Sequence, residues 1–150
     1  KMSEFDRKII IDAITRMLAR REHSYSEIVR KLTQKGIEND AFLPILDAFR
    51  EADIQSDERF AQSRARALYL KGKGPRVIKL DLQQYGVDEG DIREAFEEME
   101  ADWFESAKTA KVKKFGACFE TDFTLRQKQK RFLQYRGFYQ EHIDYAVSNE

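Results

Sequence analysis

One hundred and fifty residues with 27 basic and 27 acidic side chains are enough to bury a core, suit one compact domain or a short array, and leave no net charge to announce a polyanionic partner. Charged residues are 36% and apolar ones 41%, with two prolines and seven glycines, a balance that suits amphipathic helices with solvated outer faces. No apolar run nears the roughly 18 residues of a membrane span, the start lacks an apolar secretory region, and the lone Cys118 closes no intramolecular disulfide, so the expectation is a soluble cytoplasmic protein held by packing alone.

Taken in chain order, Ile10, Ile14, Met17 and Leu18 form the apolar stripe of a first helix. Ser24-Tyr25-Ser26-Glu27 has the capping-box pattern that opens a second, carrying Ile28, Val29 and Leu32. A third follows Gly36, capped by Asn39 or Asp40, which would put Pro44 in its first turn, where amide donors lack intrahelical partners. The pattern restarts with Phe60, Arg64, Ala67 and Leu68, and in Gly72-Lys73-Gly74-Pro75 the glycine stops one helix and the proline opens the next. It restarts again from Trp103 through Phe115 and Cys118, breaks at Thr121-Asp122, and resumes with Leu125, Phe132 and Leu133.

Aligned on their glycines, these stretches are copies of one unit. Leu32 to Ile37, Leu82 to Val87 and Leu133 to Phe138 each read Leu-x-x-x-Gly-apolar, at spacings of 50 and 51. Counting on from each glycine, the sixth residue is Phe42, Ile92 or Ile143, the ninth Ile45, Ala95 or Ala146, and the tenth Leu46, Phe96 or Val147. Steps of three and four mark one helix face. The expectation is an all-α fold of nine helices in three tandem helix-turn-helix-like repeats, over residues 1–55, 56–101 and 102–150, elongated or curved because a lone three-helix unit buries little.

Charge is segregated along this frame. Arg59 to Leu80 holds seven basic residues and no acid, whereas Asp81 to Asp102 holds nine acids against Arg93. Basic character returns at Lys108, Lys111, Lys113 and Lys114, and again at Arg126, Lys128, Lys130, Arg131 and Arg136. A charge run is usually only a solvated helix face, but clusters recurring in register with a repeat make local positive fields on a neutral molecule. Such a surface suits DNA phosphates or acidic protein surfaces.

Other chemistry finds little support. The Gly72 to Pro75 turn lacks phosphate-loop spacing and follows a helix, so no nucleotide site is expected. His23, His142 and Cys118 match no zinc spacing; the histidines read as surface or capping residues and Cys118 as a small buried thiol on a helix. No catalytic signature occurs, and neither metal nor cofactor is expected. Tyr135 and Tyr139 stand out among largely core aromatics as residues able to stack on a base or pack on a partner.

The ordered set Asp57-Glu58-Arg59-Phe60-Ala61, Lys71-Gly72-Lys73-Gly74-Pro75-Arg76-Val77-Ile78, Leu82 to Val87 and Lys130 to Phe138, with Ala19 to Ser24 and Leu32-x-x-x-Gly36 ahead of it, resembles the RecX family over nearly the whole chain. Tyr85 departs from it, since a lysine often precedes that glycine in the family, and Lys1 ahead of Met2 reads as an abbreviated start. The resemblance implies a non-enzymatic monomer acting in homologous recombination, DNA repair and the SOS response. It would bind RecA–DNA filaments, inhibit ATP hydrolysis, strand exchange and coprotease activity, and touch DNA weakly without sequence preference. Under that reading the contact residues are Arg64, Arg66, Lys71, Lys73 and Arg76, with Lys111, Lys113, Lys114, Arg126, Lys130, Arg131 and Arg136. The alternatives are an independent helix-turn-helix DNA-binding or transcription regulator, opposed by the acidic third helix at Asp88 to Glu100, and a generic helical scaffold.

Overall fold

A computed structural model describes residues 3–149; the Lys1-Met2 start and the outermost bounds of the first and last repeats lie outside them. The described residues form nine helices and no strand. They are α1 (Glu4–Arg20), α2 (Tyr25–Gln34), α3 (Asn39–Glu51), α4 (Asp57–Leu70), α5 (Pro75–Gln84), α6 (Glu89–Met99), α7 (Trp103–Phe115), α8 (Phe123–Arg136) and α9 (Gln140–Val147).

The glycines of the repeat hold equivalent places. Gly36, Gly86 and Gly137 each follow the second helix of a trio with φ of +86°, +79° and +105°. That left-handed turn satisfies the terminal carbonyls and reverses the chain into the third helix. The leucine four residues earlier, Leu32, Leu82 or Leu133, is fully buried in every copy, and Phe42, Ile92 and Ile143 further on are buried too.

The chain divides into two compact units, residues 1–63 with 83–95 and residues 64–82 with 96–150. In the first, Ile10 and Ile14 of α1, Ile28 and Leu32 of α2, and Phe42, Ile45 and Leu46 of α3 make one core, flanked by Met17, Leu18, Val29 and Phe49. In the second, Ala107 and Ala110 of α7 leave room for Leu133 of α8 and for Phe138, Ile143, Ala146 and Val147 on and before α9.

Each unit contains the same junction, made where the start of one second helix meets the end of the next. In the first unit the Ser24 hydroxyl donates to the Tyr85 carbonyl at 2.7 Å, and a Cβ on Gly86 would overlap the Ser26 side chain. In the second unit the Gly74 and Arg76 amides donate to the Arg136 and Gly137 carbonyls at 2.7 and 3.0 Å, and a Cβ on Gly137 would lie 2.6 Å from Val77 Cγ2. Here orphan amides opening one helix meet orphan carbonyls closing another. Gly36 has nothing within 4 Å of the equivalent position.

Three local expectations are corrected. Glu38 rather than Asn39 or Asp40 holds the N-cap position of α3, without a side-chain capping bond, so Pro44 sits inside the helix at its sixth position. It is tolerated because the bond it cannot make to the Asp40 carbonyl falls on an exposed face. Cys118 is exposed in a loop rather than buried on a helix, because Gly116 at φ +96° ends α7 with its amide on the Val112 carbonyl. Both histidines are buried rather than on the surface, with His142 taking the capping alternative.

Candidate cationic interface

The repeat brings some of the basic clusters together. Lys71 beyond α4, Lys113 on α7 and Arg136 at the end of α8 line one hollow with Tyr69, Gly72, Thr109 and one acid, Glu105. Arg136 is fixed there by chain geometry: its Nη2 donates 2.8 Å to the Lys71 carbonyl and its guanidinium lies 5.5 Å from the Phe132 ring. Arg76 mirrors it, donating from Nη2 to the Gln134 carbonyl at 2.6 Å. These two arginines clasp the junction: Arg76 caps the end of α8, which carries Arg136, and Arg136 caps the turn after α4, which leads to Arg76. Lys71 and Arg76 remain exposed and Lys73 is half-buried.

The remaining candidates are dispersed. Arg66, Lys114 and Arg131 are exposed on α4, α7 and α8, and Lys114 sits over Phe132 at 5.7 Å. Arg64 forks onto both carboxylate oxygens of Asp81 at 2.8 and 2.9 Å. Lys130 lies 3.6 Å from Asp144. Arg126 donates to the Glu120 carbonyl at 2.8 Å and stacks over Phe119 and Phe123 at 5.3 and 5.9 Å. Those two aromatics are exposed, as is Leu125. Tyr135 is 86% exposed and Tyr139 39%.

Lys111 does not belong on the surface where the sequence reading put it. It is only 4% exposed, and its ammonium donates to the Gly116 and Cys118 carbonyls at 2.9 Å each. It pins the loop after α7 by satisfying backbone acceptors, so its ammonium is turned inward rather than offered to a partner. Its spacing from Ala107 and Ala110 placed it on the inward face all along.

A second polar cluster lies around the cap of α2. Burial drives the Glu27 carboxyl upward, yet the Arg21 guanidinium, His23 and Lys31 hold it below its ordinary value. His23 is pushed below its ordinary value by burial, and its Nδ1 sits 3.0 Å from the Arg21 carbonyl. That contact makes Nδ1 the donor and leaves Nε2 to accept from Lys31 at 3.2 Å. His142 is likewise lowered by burial, and its Nδ1 accepts the Tyr139 amide at 3.2 Å, the capping role its place at the start of α9 suggested.

Among the described residues no group of His, Cys, Asp or Glu is arranged to hold a metal ion, and no helix is long and apolar enough to cross a membrane. Fold and surface together define an all-helical tandem-repeat protein with cations gathered at a junction between copies. The family model for RecX, second three-helix domain, matches residues 56–95, and that for RecX, third three-helix domain, matches residues 100–147. The chain belongs to the RecX family. It is 36% identical over 137 residues to regulatory protein RecX of Halorhodospira halophila, covering 91% of this chain and 85% of that one. It is 38% identical to the Acinetobacter baylyi protein over 131 residues (87% and 81%), and 39% to the Vibrio parahaemolyticus protein over 139 residues (93% and 90%). A crystal structure of regulatory protein RecX shares the fold at a TM-score of 0.81 and 22% identity, over all of this chain and 81% of the other. RecX from Lactobacillus salivarius does so at 0.79 and 23%, over 97% and 96%.

Proposed function

We propose that this protein binds RecA–DNA filaments and restrains them, inhibiting ATP hydrolysis, strand exchange and coprotease activity, with no chemistry of its own. It acts as a cytoplasmic monomer of three copies, residues 1–55, 56–101 and 102–150. The observation that carries the reading is the hollow where Lys71, Lys113 and Arg136 converge from the turn after α4, from α7 and from α8, in a chain whose relatives are regulatory proteins. A concave cation cluster focuses its field outward and engages the phosphates of filament-bound DNA or acidic RecA side chains. Arg66, Lys73, Lys114 and Arg131, exposed or half-buried, offer further cations away from the hollow; Arg76, Arg126 and Arg136 present guanidinium edges left over after their carbonyl contacts.

The test is RecA ATPase activity on single-stranded DNA with the protein titrated in. Reversing Lys71, Lys73 and Lys113 to Glu spares the arginine clasp, so helical circular dichroism should be unchanged while inhibition is lost. Undiminished inhibition by a folded triple variant would refute the site. Inhibition well below stoichiometry indicates action at filament ends, and a need for near-equal amounts indicates coating along the groove.

A further inference from the structure

A hollow on the first repeat, wholly within the first compact unit, is lined by Arg16 and Arg20 of α1, Lys31, Gln34 and Lys35 at the end of α2, and Ala13 and Met17 beneath them. Four cations face it and no acid does. Arg16, Arg20 and Lys35 are exposed; no ion pair of theirs occurs among the described residues. Lys31 lies 3.4 Å from Glu27, but Glu27 is 1% exposed and already bonded to Arg21. One buried negative charge shared by two cations leaves the wall strongly positive.

Helix polarity accounts for part of this, since basic side chains are favoured in the last turn. It explains Arg20 and Lys31. It also favours Lys35, the C-cap of α2, but it does not explain why Arg16, a turn earlier, should open into the same space, where like charges repel. We infer that the hollow is a binding site for the phosphates of a nucleic-acid strand. The pairs Arg16/Arg20 and Lys31/Lys35 are each four residues apart, about 6 Å along a helix axis, so each helix offers a short row of cations to the one hollow. Filling them takes a regular polyanion. A DNA strand offers a charge about every 3.4 Å along its axis, whereas carboxylates clustered on a folded protein keep no such fixed repeat. Guanidinium forks match phosphate oxygens, the Gln34 amide adds a donor, and the Ala13 and Met17 floor accepts sugar carbons.

The site lies apart from the cations of the second and third copies but rests on the reading that the protein meets DNA. It is tested by fluorescence anisotropy with a labelled thirty-residue oligothymidylate across a salt series, without RecA, and by ATPase inhibition in parallel. Changing Arg16, Arg20 and Lys35 to Ala should leave helical content and melting intact, while the log–log salt slope becomes shallower by about 2, at roughly 0.7 per lost contact, and affinity at low salt falls at least about tenfold. An unchanged slope in the variant, with the wild type binding the strand, overturns the site and leaves the proposed function standing. A wild type that inhibits RecA but never binds the strand overturns the site as well. So does a labelled polyglutamate that binds the wild type more tightly than the oligonucleotide and is lost in the variant, since it would make the occupant an acidic protein.

Discussion

Gly137→Ala probes the junction that joins copies, and Gly36→Ala supplies its control. Both glycines sit at positive φ, +105° and +86°, so an alanine costs about 1–2 kcal/mol of backbone strain at either. Only at Gly137 does the new methyl meet anything: Val77 Cγ2 at 2.6 Å and, decisively, the Val77 backbone nitrogen at 2.7 Å. Because a backbone atom cannot rotate aside, the start of α5 must withdraw. The Gly74 and Arg76 amide bonds to α8, at 2.7 and 3.0 Å, then stretch or break at about 1 kcal/mol each. Gly137→Ala should therefore lose about 3–4 kcal/mol, and Gly36→Ala about half that or less. Against a total stability of about 5–15 kcal/mol the difference is easily seen in urea unfolding followed at the helical circular-dichroism band. Equal midpoints for the two variants would show that the junction contributes no stability.

Leu133→Ala should cost about 2–5 kcal/mol by opening a cavity in the core it shares with Phe138 and Ile143, measured by the same unfolding curve. Lys111→Met keeps the stem's packing but strands the Gly116 and Cys118 carbonyls. Hydrogen exchange across residues 116–122 should accelerate, with a loss of about 1.5–3 kcal/mol. For pH, the folded values of His23 and His142 lie below the ordinary 6.5, so the unfolded chain binds more protons. Stability should then be full above about pH 6.5 and decline as pH falls through the lower folded values. Glu27, also lowered, extends the decline below 4.5. His142→Gln should flatten part of the first descent in melting temperature; a wild-type profile rising from pH 7 to 5 would contradict the assignment.

Much of the fold is legible because the repeat writes its core positions three times. Leucine before the glycine and the apolar sixth and ninth residues after it are buried in every copy, and periodicity reads such positions directly. What escapes depends on neighbours distant in sequence or on where a helix stops. Gly86 and Gly137 read as turn residues; their second task, letting another helix start approach, appears only with Ser26 and Val77 in place. Cys118 followed apolar neighbours that seemed to extend α7, and the stop at Gly116 lies in its backbone angle. Of the candidate interface, composition revealed the clusters but not their division of labour: Lys111 pins a loop, Arg64 holds Asp81, and Lys71, Lys113 and Arg136 converge. The hollow on the first repeat went unread because its cations are spread over twenty residues among acids that face elsewhere.

A protein that uses one kind of joint twice risks closing it out of order, with a helix start seated on the wrong glycine. The two joints differ in how they lock. One is a hydroxyl on the Tyr85 carbonyl; the other couples backbone amides with a pair of reciprocal arginines. A serine start brought to the second glycine would leave Arg136 without the carbonyls it seizes, and a Gly-Pro start brought to the first would meet a tyrosine in that arginine's place. Unlike fastenings on like frames thus discriminate against misregistered assembly, the characteristic folding error of tandem copies.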